Sequence, residues 1–155
     1  MKRIYKTFRF AYETRFWISS LQSKYDEELQ KEIANGLEVQ TDTDFEEKNN
    51  ALFKAIAFTF TLNITIGSIL DKAIAETKDF SEKEWKALAT EAEIQKNNID
   101  NVKFKDATPS VYLRQTTYEE LEKLQLKLRG DMPRLPKKTY IIKLAVFYLY
   151  KKEFC

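Results

Sequence analysis

Two stretches of this chain share one rhythm, and that rhythm restricts the fold more than any other feature. In "PSVYLRQTTYEELEKL", residues 109–124, Val111 and Leu113 alternate with Ser110, Tyr112 and Arg114. After Thr116 the apolar spacing becomes helical, through Tyr118, Leu121, Leu124 and Leu128. In "RIYKTFRFAYETRFWISSL", residues 3–21, Ile4, Lys6, Phe8 and Phe10 alternate with Arg3, Tyr5, Thr7 and Arg9. Helical spacing then sets in at Tyr12, Phe16, Trp17 and Leu21. A period of two marks a strand and a period near 3.6 a helix, so each stretch reads as a short strand running into a helix. A lone strand leaves backbone donors and acceptors without partners. The two strands must therefore pair with each other, or each with its own copy in a second chain. Pairing within the chain closes a loop of about 100 residues, a cost that grows only logarithmically with length, whereas pairing between chains depends on concentration.

The two stretches superpose without gaps. Phe8 and Phe10 fall on Val111 and Leu113, Thr7 and Arg9 on Ser110 and Tyr112, Ile18 and Leu21 on Leu121 and Leu124. Ala11 falls on Arg114, so the first copy lacks that outward arginine. The simpler alternative is one helical domain whose first strand pairs with the second, and it predicts the same ribbon.

The remaining sequence is helical in pattern. A length of 155 residues leaves room for one ordinary domain or two very small ones, and with only three glycines and three prolines the expected fold is mainly α with a short antiparallel β-ribbon. Thr116 or Thr117 can cap the helix that follows the second strand, with Glu119 and Glu120 in its first turn. Gly130 supplies a stop near Arg129, "DMPRLP" a turn, and Pro136 suits the first turn of the next helix. That helix, "KKTYIIKLAVFYLYKK", carries a stripe of Ile141, Leu144, Ala145, Tyr148 and Leu149. Between the copies lie an acidic loop, "EVQTDTDFEEKNN", an apolar helix, "ALFKAIAFTFTLN", and "ITIGSILDKAIAE", with a stripe of Ile66, Ile69, Leu70, Ala73 and Ile74. A connecting helix follows, in which Ser81 and Glu84 make a capping-box pattern ahead of Trp85, Leu88 and Ala92. "NNIDNVKFKD" is the linker. The expected organisation is 1–77, an embellished N-terminal half; 78–104, connecting helix and linker; and 105–155, a C-terminal half.

Several function classes fall away on residue type. Cys155 is the single cysteine, which excludes an intramolecular disulfide and fits a reducing cytosol; there is no histidine, so a zinc site is not expected. There is no phosphate-binding glycine loop and no nucleophile elbow. The carboxylates of "YDEELQKE" and "DFEEKNN" read as solvated helix faces. The chain is thus expected not to be an enzyme and to need no cofactor. "MKRIYKTFRF" has no apolar core followed by small residues and is not a signal peptide; "ALFKAIAFTFTLNITIGSIL", broken by Lys54 and Asn63, reads as a buried helix, not a membrane span. A cytoplasmic location follows as the expectation. Phe8, Phe10, Phe16, Trp17, Phe53, Phe58 and Phe60 are most simply core.

The charge is unevenly placed. Residues 1–16 carry five basic and one acidic side chain, residues 17–102 nine and seventeen, residues 103–155 twelve and six. Two basic ends flank an acidic middle, and both basic ends contain a strand. That coincidence points to a polyanion-binding surface built from the two termini.

The segment "PSVYLRQTTYEELEKLQLKLRGDMPRLPKKTYIIKLAVFYL" resembles the ribbon-helix-helix family, the Arc/MetJ superfamily of DNA-binding proteins. Its turn, "GDMPRLPKK", is longer than the family's usual Gly-Arg-Ser. The resemblance implies a fold of tandem ribbon-helix-helix units, with one chain as a pseudo-dimer or two chains as a homodimer. It implies that the ribbon enters the major groove of double-stranded DNA. Thr7, Arg9, Ser110, Tyr112 and Arg114 would then face base edges, and Arg3, Lys6, Lys137, Lys138 and Thr139 the phosphates. Two-copy arrangements occur in the TraY-like accessory proteins of conjugative plasmids. The implied role is therefore a relaxosome accessory protein at a transfer origin of a mobile element, with a relaxase or other mobile-element protein as partner. A transcriptional repressor or plasmid partition factor uses the same fold. Two further alternatives stay open: a helical interaction protein such as an inhibitor or antitoxin, and single-strand base stacking on Tyr5 and Tyr112.

Overall fold

The computed structural model describes residues 2–34 and 64–155. Its described elements, in chain order, are β1 (Arg3–Thr7), α1 (Tyr12–Ala34), α2 (Ile66–Thr77), α3 (Glu82–Lys96), β2 (Ser110–Arg114), α4 (Gln115–Arg129) and α5 (Lys138–Phe154). The chain is mainly helical, with β1 and β2 paired in a two-stranded antiparallel sheet. Met1–Ser23 and Thr65–Cys155 form one compact unit, which holds the ribbon; Lys24–Ile64 form a second. The acidic loop and the apolar helix with Phe53, Phe58 and Phe60 lie outside the described residues.

The ribbon forms within the chain. Arg3 faces Arg114, Ile4 faces Leu113, Tyr5 faces Tyr112, Lys6 faces Val111 and Thr7 faces Ser110. The Gln115 amide donates to the Lys2 carbonyl at 3.1 Å, the Phe8 amide to the Pro109 carbonyl at 3.3 Å, and Phe10 and Ala107 exchange both bonds. Even-numbered residues of the first strand thus occupy the hydrogen-bonded pairs. Arg3, Tyr5 and Thr7 fall at the other pairs, where facing side chains come closest. Pro109 has no amide to give, and it sits at the end of the ladder, where that loss is tolerated. The alternation sorts the faces as the sequence predicts: Phe8, Phe10, Val111 and Leu113 are buried, while Tyr5, Thr7, Arg9, Ser110, Tyr112 and Arg114 are exposed.

The helices build the core beneath the ribbon. α5 lies at its centre and packs against α2, α3 and α4. Trp17 of α1 stacks obliquely on Phe147 of α5, ring centres 4.9 Å apart. The predicted single stripe on α5 is too narrow: Ile142, Val146 and Phe147 are buried as well, and Tyr148 is half-buried. A helix with neighbours on several sides has no solvent face to keep polar. On α3, Trp85, Leu88 and Ala92 are buried, and the Ser81 hydroxyl accepts the Glu84 amide at 3.2 Å, as the capping pattern predicts.

Two predicted caps are corrected. Helix α4 starts directly at Gln115, so Arg114 is its N-cap, without a side-chain cap; Thr117 lies inside the helix, and Glu119 and Glu120 fall beyond its first turn. Helix α5 starts at Lys138 behind an equally uncapped Lys137, so Pro136 precedes the helix instead of opening it. Arg114 supplies the extended backbone of an N-cap but no side-chain acceptor, and the acceptor at this junction comes from another part of the chain.

Two glycines serve opposite purposes. Gly130 ends α4 at φ 54°, a conformation that side chains disfavour, with open space around it. Gly67, in the first turn of α2, serves close approach: a Cβ there would lie 1.8 Å from the Tyr112 carbonyl oxygen. Helix α2 thus rests its backbone on the outer edge of β2, covering what would be an open strand edge. Alanine is the better helix former by about 1 kcal/mol, but overpacking against backbone costs about 1–3 kcal/mol. Gly67→Ala should therefore lower the urea midpoint despite the gain in propensity. A midpoint at or above the parent's would mean that α2 does not bear on β2.

Candidate nucleic-acid interface

The outer face of the ribbon has an aromatic centre. Tyr5 and Tyr112 stack with ring centres 4.5 Å apart, and Tyr5 is 71% exposed. Their position at a non-hydrogen-bonded pair brings the rings together. Thr7 and Ser110 follow on one side and Arg3 and Arg114 on the other. The guanidinium of Arg3 lies 5.7 Å from the centre of the Tyr112 ring, within cation–π range.

Each strand-to-helix junction is closed by a carboxylate from elsewhere in the chain. At β2–α4, Asp71 of α2 accepts the Arg114 amide at 3.1 Å and the Thr117 hydroxyl at 2.7 Å. Its Oδ2 stands 3.3 Å from Arg3 Nη1 and 3.8 Å from Arg114 Nε. That oxygen makes no hydrogen bond of good geometry, but two guanidinium groups balance its charge. Arg3 also donates to the Tyr112 carbonyl at 3.3 Å. At β1–α1, Asp106 accepts the Tyr12 amide at 3.0 Å and lies 3.8 Å from Arg9 Nη2. A carboxylate at a helix N-terminus satisfies an orphan amide and sits favourably in the helix dipole. A strand can pass straight into a helix here because a distant aspartate supplies the cap.

Of the predicted phosphate-binding residues, Lys6 and Lys138 meet at one ring, while Arg3 stands on the outer face against Asp71. Lys6 Nζ lies 4.6 Å and Lys138 Nζ 4.8 Å from the centre of one ring, that of Tyr118. Lys6 starts from the inner face of the ribbon, and its long stem carries the charge to the rim. Lys137 is exposed, and the first amides of α5 lack a side-chain cap. Thr139 lines a small cleft with Arg9, Glu13, Tyr140 and Lys143. Burial, with the Glu93 carboxylate nearby, raises the Tyr140 phenol above its ordinary value. All the predicted base-facing and phosphate-facing residues thus lie on the ribbon or at the start of α5, although Arg9 and Arg114 occupy opposite ends.

Asp71, Asp106 and Tyr118 were not singled out by the sequence pattern. Asp71 carried the one usable signal, a carboxylate set among Ile69, Leu70, Ala73 and Ile74 on an otherwise apolar helix face. Away from the ribbon, a groove of about 410 Å³ is lined by Trp85, Ala89, Leu128, Met132, Leu135 and Tyr140, among others. No helix among the described residues is long and apolar enough to cross a membrane. No family model, curated protein or solved structure matches the chain.

Glu13 is buried and lies 3.8 Å from Lys143 Nζ, which also stands 4.0 Å from Glu93. Removing one member of a buried pair leaves a charge without compensation, at a cost on the order of 3 kcal/mol. Lys143→Met should show that loss in urea denaturation, and adding Glu13→Gln should recover most of it. Additive losses in the double variant would mean that the two side chains do not interact.

Proposed function

We propose that this chain binds double-stranded DNA sequence-specifically, with the outer face of its ribbon in the major groove. One observation carries the reading. A two-stranded ribbon presents Arg3, Tyr5, Thr7, Ser110, Tyr112 and Arg114 on one open face, and Lys6 and Lys138 stand together at its rim. A two-stranded β-ribbon fits the major groove, where Arg, Ser, Thr and Tyr meet base-edge donors and acceptors. In this reading Arg3 takes a base-facing place and Arg9 a phosphate-facing one, the reverse of the sequence assignment; Lys137 and Lys138 meet phosphates, and the uncapped amides at Lys138 and Thr139 would take a further one.

The fold reading that goes with it is a tandem ribbon-helix-helix arrangement in a single chain, a pseudo-dimer in place of a homodimer. Tyr12 and Gln115, which begin α1 and α4, coincide in the gap-free superposition of the two stretches. Thr7 and Ser110 coincide as well, and they face each other in the ladder, as residues beside a twofold axis do. A single chain with unlike halves suits an asymmetric DNA site. In this reading the protein is a cytoplasmic relaxosome accessory factor at a transfer origin, with a relaxase as partner, or a repressor or partition factor of the same architecture. It binds DNA and is not an enzyme. The groove around Trp85 and Met132 favours one second reading, a protein-interaction module that works without DNA.

Footprinting on the DNA flanking the protein's own gene tests the reading. Binding through about 6–8 phosphates should make affinity fall with log[salt] at a slope of roughly −5 to −7. Arg114→Ala should cost about 1–3 kcal/mol on the specific site and relax choice at one base pair. Lys138→Ala should weaken specific and non-specific duplexes alike and reduce the salt slope by about 1. A protein that retards no duplex at low salt is not a DNA-binding protein, and the groove would then be the surface to pursue.

A further inference from the structure

The two ends of the ribbon are built alike and held differently. At each end an aspartate from a distant segment caps the following helix and pairs with arginine on the outer face. Asp71 is only 8% exposed, and it faces both Arg3 and Arg114. Asp106 is 48% exposed, and its partner Arg9 is 78% exposed. An exposed pair at 3.8 Å is screened by water and holds its side chains weakly. A buried carboxylate with two further hydrogen bonds, to the Arg114 amide and the Thr117 hydroxyl, has one position only. The guanidinium of Arg3 is fixed further by the Tyr112 carbonyl and ring. One end of the face therefore carries two arginines against one buried carboxylate, Arg3 the more closely held at 3.3 Å and Arg114 half-exposed at 3.8 Å, and the other carries a single, more exposed arginine against an exposed carboxylate.

We propose that Asp71 is a positioning residue for DNA recognition: it orients Arg3 and Arg114 and so makes their end of the ribbon the one that discriminates between bases. The inference rests on the DNA-binding reading. A planar guanidinium reads guanine through two hydrogen bonds at once, which requires a fixed plane. A mobile arginine satisfies any phosphate within reach and adds affinity without choice. Asp71 does not touch DNA; it acts through the arginines. The ribbon thereby gains a direction, and the protein would bind its site in one orientation.

The test is parallel selection from a random-sequence duplex library with the parent chain, Asp71→Asn and Asp106→Asn. Asparagine at 71 keeps an oxygen for the Arg114 amide and the Thr117 hydroxyl and removes the charge that holds the guanidinium groups. Asp71→Asn should lose about tenfold in base preference at one end of the selected site, with affinity for unselected duplex kept. Asp106→Asn should leave the preference at every position unchanged. Arg114→Lys, which keeps the charge and loses the plane, should reproduce the Asp71→Asn pattern and serves if that variant does not fold. A purely structural Asp71 would lower specific and non-specific binding together. An unchanged preference in Asp71→Asn, or in Arg114→Lys where the former is unfolded, overturns the proposal and leaves DNA binding intact. A parent chain that selects no sequence and retards no duplex overturns the DNA reading itself, and the proposal with it.

Discussion

The outer face of this protein exists because two strands, with Arg3 and Tyr112 109 positions apart, pair with each other. Neither strand is stable alone, since each is only five residues long and each has two open edges. Their pairing puts Phe8, Val111 and Leu113 over the helices and turns the polar alternates outward. A slip of one residue would reverse that arrangement and bury Arg114 in place of Leu113. The register is fixed from several directions: by the buried face, by the approach of Gly67 to the Tyr112 carbonyl, and by Asp71 at the Arg114 amide. Helix α2 therefore does more than fill the core. It covers one edge of β2, caps α4 and charges the end of the ribbon.

The same aspartate ties folding to the proposed function. A buried carboxylate is costly unless its partners are in place, and here the partners are a backbone amide, a hydroxyl and two guanidinium groups. Two of these groups, the guanidiniums of Arg3 and Arg114, lie on the face that would meet DNA. Arrangements of this kind give an interface its preorganisation, because the side chains are ordered before the ligand arrives. The end at Asp106 is more open to water.

The strands, their inward and outward residues and the helices that follow them were legible because a period of two leaves a clear trace over five residues, as in Ser110 to Arg114. Gly130 was legible as a stop because only glycine is at ease at its backbone angle. The caps were not legible. Thr116 and Thr117 stood where local rules place a cap, but the cap comes from Asp71, in a different helix. Local patterns hold no record of a partner that tertiary packing brings from another part of the chain. The meeting of Lys6 and Lys138 on Tyr118 is of the same kind, as is the wide buried surface of α5, which depends on how many helices surround it. Sequence showed which residues were basic and outward, and the fold determined which of them stand together.

The central claim is that the outer face of the intrachain ribbon is the surface that meets duplex DNA. Amide chemical shifts of the labelled protein, followed through a titration with duplex at moderate salt, test it most directly. The account predicts perturbations concentrated at Arg3–Arg9, at Ser110–Arg114 and at Lys137–Thr139. Perturbations centred instead on the groove of Trp85, Met132 and Leu135, or none at saturating duplex, would contradict it.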